Sequence, residues 1–169
     1  VGYERLEETA DPEIAINRGL NTYLQKGYSP DWVNQRLKSI EIRKALTDEW
    51  EKRGIKEGLE FAILTDEINK AWTGITTKDY KKLKNLKKEN LRDNMTNLEL
   101  VLNMLAETAT TEISQKKRPK GMHQNRKVAR AGGSVAGNAR KDIENKTGRK
   151  VITSNNFKSL ETQQTRNST

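Results

Sequence analysis

Lys81–Ile113 (KKLKNLKKENLRDNMTNLELVLNMLAETATTEI) constrains the fold more than any other stretch, because its character changes within it. Up to Arg92 it is basic, with Leu83, Leu86 and Leu91 set among lysines. From Thr96 it is the most apolar helical segment of the chain. Thr96-Asn97-Leu98-Glu99 has the form of a capping box. In such a box the Thr96 hydroxyl accepts from the Glu99 amide and the Glu99 carboxylate reaches back. Beyond it Leu98, Val101, Leu102, Leu105, Ala109 and Ile113 recur at spacings of three and four, which places them on one helix face. Leu100 and Met104 widen that face, as for a helix covered on more than one side. The expectation is a central helix with a cationic arm leading into it.

The rest of the chain carries the same punctuation. Asp11-Pro12-Glu13 starts a helix, with Asp11 as cap and proline in the first turn, and Gly27 ends it. Ser29-Pro30-Asp31-Trp32 starts another that runs to about Arg53, with Gly54 as its stop. Val33, Leu37 and Ile40 lie on one side of it, and Ile42, Leu46 and Trp50 on another, so it packs between neighbours with Trp32 and Trp50 in the core. The apolar run Gly58–Leu64 is ambiguous between strand and helix. Thr65-Asp66-Glu67 offers a cap for a helix through Ile68, Ala71 and Trp72 that Gly74 closes, and Thr76 caps a short one bearing Tyr80 and Leu83. Capped helical patterns with few prolines and no clear strand alternation predict an all-α protein. With only three Trp, four Tyr and two Phe, a core filling the whole length is not expected. The predicted division is a helical core domain over 1–115, a basic Gly/Ala-rich helical extension over 116–152, and a disordered tail over 153–169.

Positive charge is segregated. Residues 1–77 carry net −3, 78–92 net +5, 93–115 net −4 and 116–150 net +10, within a total of +9. Two basic blocks thus flank an acidic helix, a pattern that favours polyanions through counterion release. The candidate phosphate contacts are Lys84, Lys87, Lys88 and Arg92 in the first block. In the second they are Lys116, Lys117, Arg118, Lys120, Arg126, Lys127, Arg130 and Arg140. Lysines at 78, 81, 82, 84, 87 and 88 fall all round a helix, so some point away from any one duplex. Gln115–Gly121 reads as a basic hinge, either a phosphate contact or a linker.

Met122–Thr147 reads as a further helix that Gly148 stops. Within it Ala129, Gly133 and Gly137 recur every four residues, as do Gly132 and Ala136, leaving a strip almost without side chains. Each glycine in a helix interior costs about 1 kcal/mol relative to alanine, so a strip of them needs a reason. Helix packing at Gly133 and Gly137 ranks first, a break at Gly132-Gly133 second and phosphate approach last.

The sequence excludes much chemistry. With no cysteine there is no disulfide or thiolate. A lone His123 gives no metal site, the plentiful carboxylates read as helix-surface groups that are solvated or salt-paired, and no metalloprotease, nucleophile-elbow or phosphate-loop motif occurs. Glu107 and Glu112 are five apart and do not converge, and Glu99 serves the cap. No enzyme activity, metal or cofactor is expected, and no apolar run long enough to span a membrane is present. The start Val1-Gly2-Tyr3-Glu4 has neither an initiator methionine nor a signal pattern and reads as that of a processed chain or a fragment, the fragment ranking first.

Leu91-Arg92-Asp93-Asn94-Met95-Thr96-Asn97-Leu98-Glu99-Leu100, Met104-Leu105-Ala106-Glu107 and Gly132-Gly133-Ser134-Val135-Ala136-Gly137-Asn138-Ala139-Arg140 together resemble the C-terminal region of DNA-damage-inducible protein D and its prophage BRO-type antirepressor relatives. The likeness runs over about residues 11–152, through Trp32–Leu46, Phe61-Ala62-Ile63, Trp72-Thr73-Gly74 and Thr147-Gly148. It implies a helical region that follows an N-terminal BRO domain, a bacterial or prophage cytoplasmic setting, a link to the DNA-damage (SOS) response and no catalysis. Two functions follow as expectations. One is a module that binds single- or double-stranded DNA, or a DNA-bound protein, with low sequence specificity. The alternative is a protein–protein or homo-oligomerisation domain that uses the small-residue strip and makes no DNA contact.

Overall fold

The computed structural model describes residues 12–156. They form six α-helices and one 3-10 turn, with no strand among the described residues. The helices are α1 (Pro12–Gln25), α2 (Pro30–Lys52), α3 (Leu59–Thr73), α4 (Thr77–Leu83), α5 (Asn97–Lys117) and α6 (Gly121–Thr147). The 3-10 turn, Arg92–Asn94, lies between α4 and α5. Most boundaries follow from local chemistry. The Ser29 hydroxyl accepts from the Trp32 amide at 3.3 Å with proline in the first turn of α2. The Thr76 hydroxyl accepts from the Asp79 amide at 3.0 Å, and both halves of the capping box at Thr96 and Glu99 are made.

Two boundaries differ from expectation. The Gly58–Leu64 run is the first half of α3, which starts six residues before the Thr65 cap expected of it. The Thr65 hydroxyl instead donates to the Phe61 carbonyl one turn back at 2.7 Å, a mid-helix habit of threonine. The basic hinge is a tight reversal. α5 runs to Lys117, Arg118 takes the left-handed conformation (φ 48°), Pro119 is buried, and Gly121 (φ 71°) opens α6.

α6 is continuous through Gly132-Gly133 and packs more extensively than any other helix, with α3 on one side and α5 on the other. The reason is the absence of side chains. A Cβ on Gly132 would sit 2.6 Å from the Thr110 Cα on α5. One on Gly133 would sit 2.7 Å from the Ile68 carbonyl oxygen, and one on Gly137 2.5 Å from that of Ala71, both on α3. The three glycines therefore admit two backbones at once. Ala129 and Ala136 join Trp72, Leu100 and Ala106 in a single core, so the expected core and extension are packed as one body.

α5 buries only part of the apolar face its spacing traces, with Leu100 and Leu102 inside. Leu98, Val101 and Leu105 are 40%, 40% and 38% exposed, while Glu99, Leu102, Asn103, Ala106, Glu107, Thr110 and Ser114 are buried. Against a glycine strip the inward face must be small, and the polar residues on it find partners inside. Ile40 on α2 is also exposed, at 45%. Trp32, Trp50 and Trp72 are fully buried. Val151 is buried and the Asn155 carbonyl accepts from the Lys84 ammonium, so Asn155 ties the start of the expected tail to the core. The remainder of that tail, the Asp11 cap and the first residues lie outside the described residues.

Because the obstructing atoms are backbone, Gly137→Ala and Gly132→Ala should each destabilise by about 1–3 kcal/mol, despite alanine's better helix propensity. Thermal melts should then show Tm lowered by roughly 2–10 °C, against little change for the exposed Ser134→Ala. A Tm unchanged in both glycine variants would show that the helices do not approach this closely.

Candidate nucleic-acid interface

The two basic blocks do not form one surface. The first is anchored beside the N-terminal half of α5, where Lys84 pairs with Glu99 and Arg92 with Glu107. The second lies at the far end, around the α5–α6 turn. From Lys117 the two anchor points are about 27 and 15 Å back along α5, at 1.5 Å per residue.

Several of the candidate phosphate contacts serve the fold. Lys84 must leave the set: its side chain is fully buried, its ammonium 2.5 Å from the Glu99 carboxylate, and it also donates to the Asn155 carbonyl. The Tyr80 hydroxyl donates to the other Glu99 oxygen. Burial pushes the Glu99 carboxyl up and the Lys84 ammonium down, and burial followed by the Glu99 charge drives the Tyr80 hydroxyl far above its ordinary value. Arg92 donates to Glu107 at 2.8 Å. Arg140 donates to the Trp72 carbonyl at 2.7 Å and to Glu144 at 2.6 Å, and Arg130 forms a two-pronged pair with Glu67 at 2.8 and 3.3 Å. Arg126 is half-buried, with its Nε lacking a partner.

What remains open to a polyanion is Lys87 and Lys88 in the first block, and Lys116, Lys117, Arg118, Lys120 and Lys127 in the second. All seven are exposed, Lys127 beside buried Val128 and Ala129. No acid occurs between Ile113 and Lys141. α6 begins with neither a side-chain cap nor an acid in its first turn, so its positive end adds to the field there.

Charged residues that sequence spacing did not single out organise the interior. Glu107 accepts from Arg43 at 3.3 Å as well as from Arg92. Arg43 also donates to Thr65 at 2.6 Å and lies 5.1 Å from the centre of the Trp50 ring. Glu49 accepts from Arg53 at 2.6 Å and Ser114 at 2.9 Å. Asp93 accepts from Tyr23 at 2.9 Å and Arg36 at 2.8 Å, its carbonyl accepts from Tyr28, and burial with Asp93 raises the Tyr23 hydroxyl to about 12. No local pattern announces these pairs, since most partners lie 15 or more residues apart.

A cleft of about 880 Å³ opens between α3 and the segment leading into the 3-10 turn, lined by Arg43, Lys78, Lys81, Lys88 and Arg92 against two acids, Asp66 and Glu89. Burial would raise the Asp66 carboxyl, but the Thr77 amide at 2.8 Å and Lys70 at 3.2 Å outweigh it and hold it below the ordinary range. Among the described residues, no three His, Asp or Glu side chains cluster to hold a metal, and no helix is long and apolar enough to cross a membrane.

These features define a class: an all-helical module with three buried, partnered carboxylates and a group of unpaired cations at a helix reversal. The chain belongs to the DinD C-terminal domain family, whose model matches residues 31–158, or 128 of the 169 residues. It is therefore related to a DNA-damage-inducible protein. No curated protein matches it significantly.

Replacing Lys84 alone strands a buried carboxylate, so Lys84→Met should cost about 3–5 kcal/mol in denaturant unfolding. Adding Glu99→Gln should restore much of the loss, and a strictly additive double variant would refute the pairing. A depressed Asp66 stabilises fully above its ordinary value near 4 and loses that stabilisation as pH falls below it. Asp66→Asn should therefore lower Tm at pH 7 and converge on the parent near pH 2, whereas an equal deficit at both pH values would exclude the ionised carboxylate as its cause.

Proposed function

We propose that this domain is a non-enzymatic module of the DNA-damage response, in a bacterial or prophage-encoded cytoplasmic protein, that binds DNA or a protein already on DNA. The observation that carries this reading is the exposed cluster Lys116, Lys117, Arg118, Lys120 and Lys127 at the α5–α6 turn, in a stretch without acids. None of the five pairs with a carboxylate among the described residues. Such a cluster recognises phosphates rather than base edges, so binding is largely sequence-independent. The buried carboxylates Glu49, Glu99 and Glu107 are occupied by donors, which supports a non-catalytic role.

The alternative, a protein–protein or oligomerisation domain without DNA contact, no longer has the small-residue strip to rest on, because Gly133 and Gly137 face α3 within the chain. It retains one favourable observation, the outward Leu98, Val101 and Leu105 on α5.

Fluorescence anisotropy with labelled single- and double-stranded oligonucleotides between about 50 and 200 mM salt tests the reading. Log affinity should fall linearly with log salt. The variant K116Q/K117Q/R118Q/K120Q should flatten the slope by roughly 3 to 4 on duplex, at about 0.9 for each phosphate it no longer neutralises. An absence of binding at about 50 mM salt, or an unchanged slope in the variant, would exclude direct DNA contact at the turn.

A further inference from the structure

The cleft beside α3 has an electrostatic feature that the fold leaves unfinished. Glu107 is one carboxylate serving two guanidiniums, Arg43 and Arg92. Each guanidinium carries several donors in a fixed fork, and the Arg92 Nε is buried without an acceptor. Arg43 and Arg92 nonetheless keep 22% and 21% of their side-chain surface open and both line the cleft, so an anion there can reach them. Two guanidiniums on one carboxylate leave a local excess of positive charge, and burial holds Arg43 below its usual value against the Glu107 charge, with Arg92 adding to the lowering.

The walls of the cleft add to that excess. Lys78, Lys81 and Lys88 line it, and its two acids are already engaged. Asp66 is bound to the Thr77 amide and Lys70, and Glu89 accepts from the Lys87 amide at 2.6 Å. Arg43 is held on three sides, by Glu107, Thr65 and the Trp50 ring, so it needs no reordering to meet a ligand. A volume of about 880 Å³ falls within the range of small-molecule sites, and Asn103 on its floor offers a further polar group.

We propose that this cleft binds a phosphoryl anion, with Arg43 and Arg92 as the inner pair and Lys81 and Lys88 at the mouth. The anion comes either from a small phosphorylated ligand or from a phosphate of a nucleic-acid chain. This site is separate from the α5–α6 turn and does not require that the turn bind DNA.

The probe is inorganic pyrophosphate, titrated calorimetrically into the whole chain at low salt. Saturable one-to-one binding is expected. Lys81→Gln combined with Lys88→Gln, both at the solvent side and outside any ion pair described above, should weaken it at least tenfold. Lys146→Gln on α6 removes an equal type of charge elsewhere and should leave it unchanged. Arg92→Gln should abolish binding, and a melt of that variant in the absence of ligand separates loss of the site from loss of the fold.

Competition then identifies the source of the anion. If a short single-stranded oligonucleotide displaces pyrophosphate, the ligand is a chain phosphate; if it binds without displacing it, or does not bind, the ligand is a small phosphorylated molecule. No saturable pyrophosphate binding, or equal affinity in the Lys81/Lys88 variant, overturns the proposal.

Discussion

Carboxylates inside the helical body are the constraint on which the rest of the structure depends. Glu49, Glu99 and Glu107 are nearly inaccessible to water. Removing such a charge from water costs several kcal/mol unless it is paired and hydrogen-bonded. Each therefore recruits partners. Glu99 draws Tyr80 and Lys84 from α4 and its end, and Lys84 in turn holds Asn155. Glu107 draws Arg43 from α2 and Arg92 from the connecting segment. Glu49 ties the end of α2 to Ser114 on α5. A chain with few aromatic residues thus gains from ionic hubs a specificity of assembly that a larger apolar core would otherwise supply.

The helices were legible in sequence wherever a local signal governs them. Ser29-Pro30, Thr76 and the Thr96–Glu99 box mark true starts, and Gly74 and Gly148 mark true stops. Orientation was less legible. The periodicity of Leu98, Val101 and Leu105 is real, but the faces of α5 compete, and the inward one is chosen by what Gly132 and the arginines can accommodate. Nor could spacing reveal that Lys84 is sequestered, since a lysine in a basic run carries no mark of a carboxylate 15 positions on.

Leu91–Thr96, one of the stretches that carry the family resemblance, is spent on architecture. Leu91 and Met95 are buried, Arg92 meets Glu107, Asp93 gathers Tyr23 and Arg36, and the Met95 carbonyl accepts from Trp32 Nε1 at 3.0 Å. Such a motif identifies the fold and says little about a ligand. The cations divide accordingly. Near the middle of the chain Lys84 and Arg92 brace the interior while Lys87 and Lys88 stay open, and the cations at the reversal after α5 are left facing solvent.

That division turns α5 into a gauge of length. With the inner cations roughly 15–27 Å up the rod from the outer ones, a compact ion can satisfy only one group at a time. A polyanion would have to be at least about 15 Å long to reach from the turn to Arg92 at the nearer anchor, so the length of a ligand, and not its charge alone, sets which end it meets.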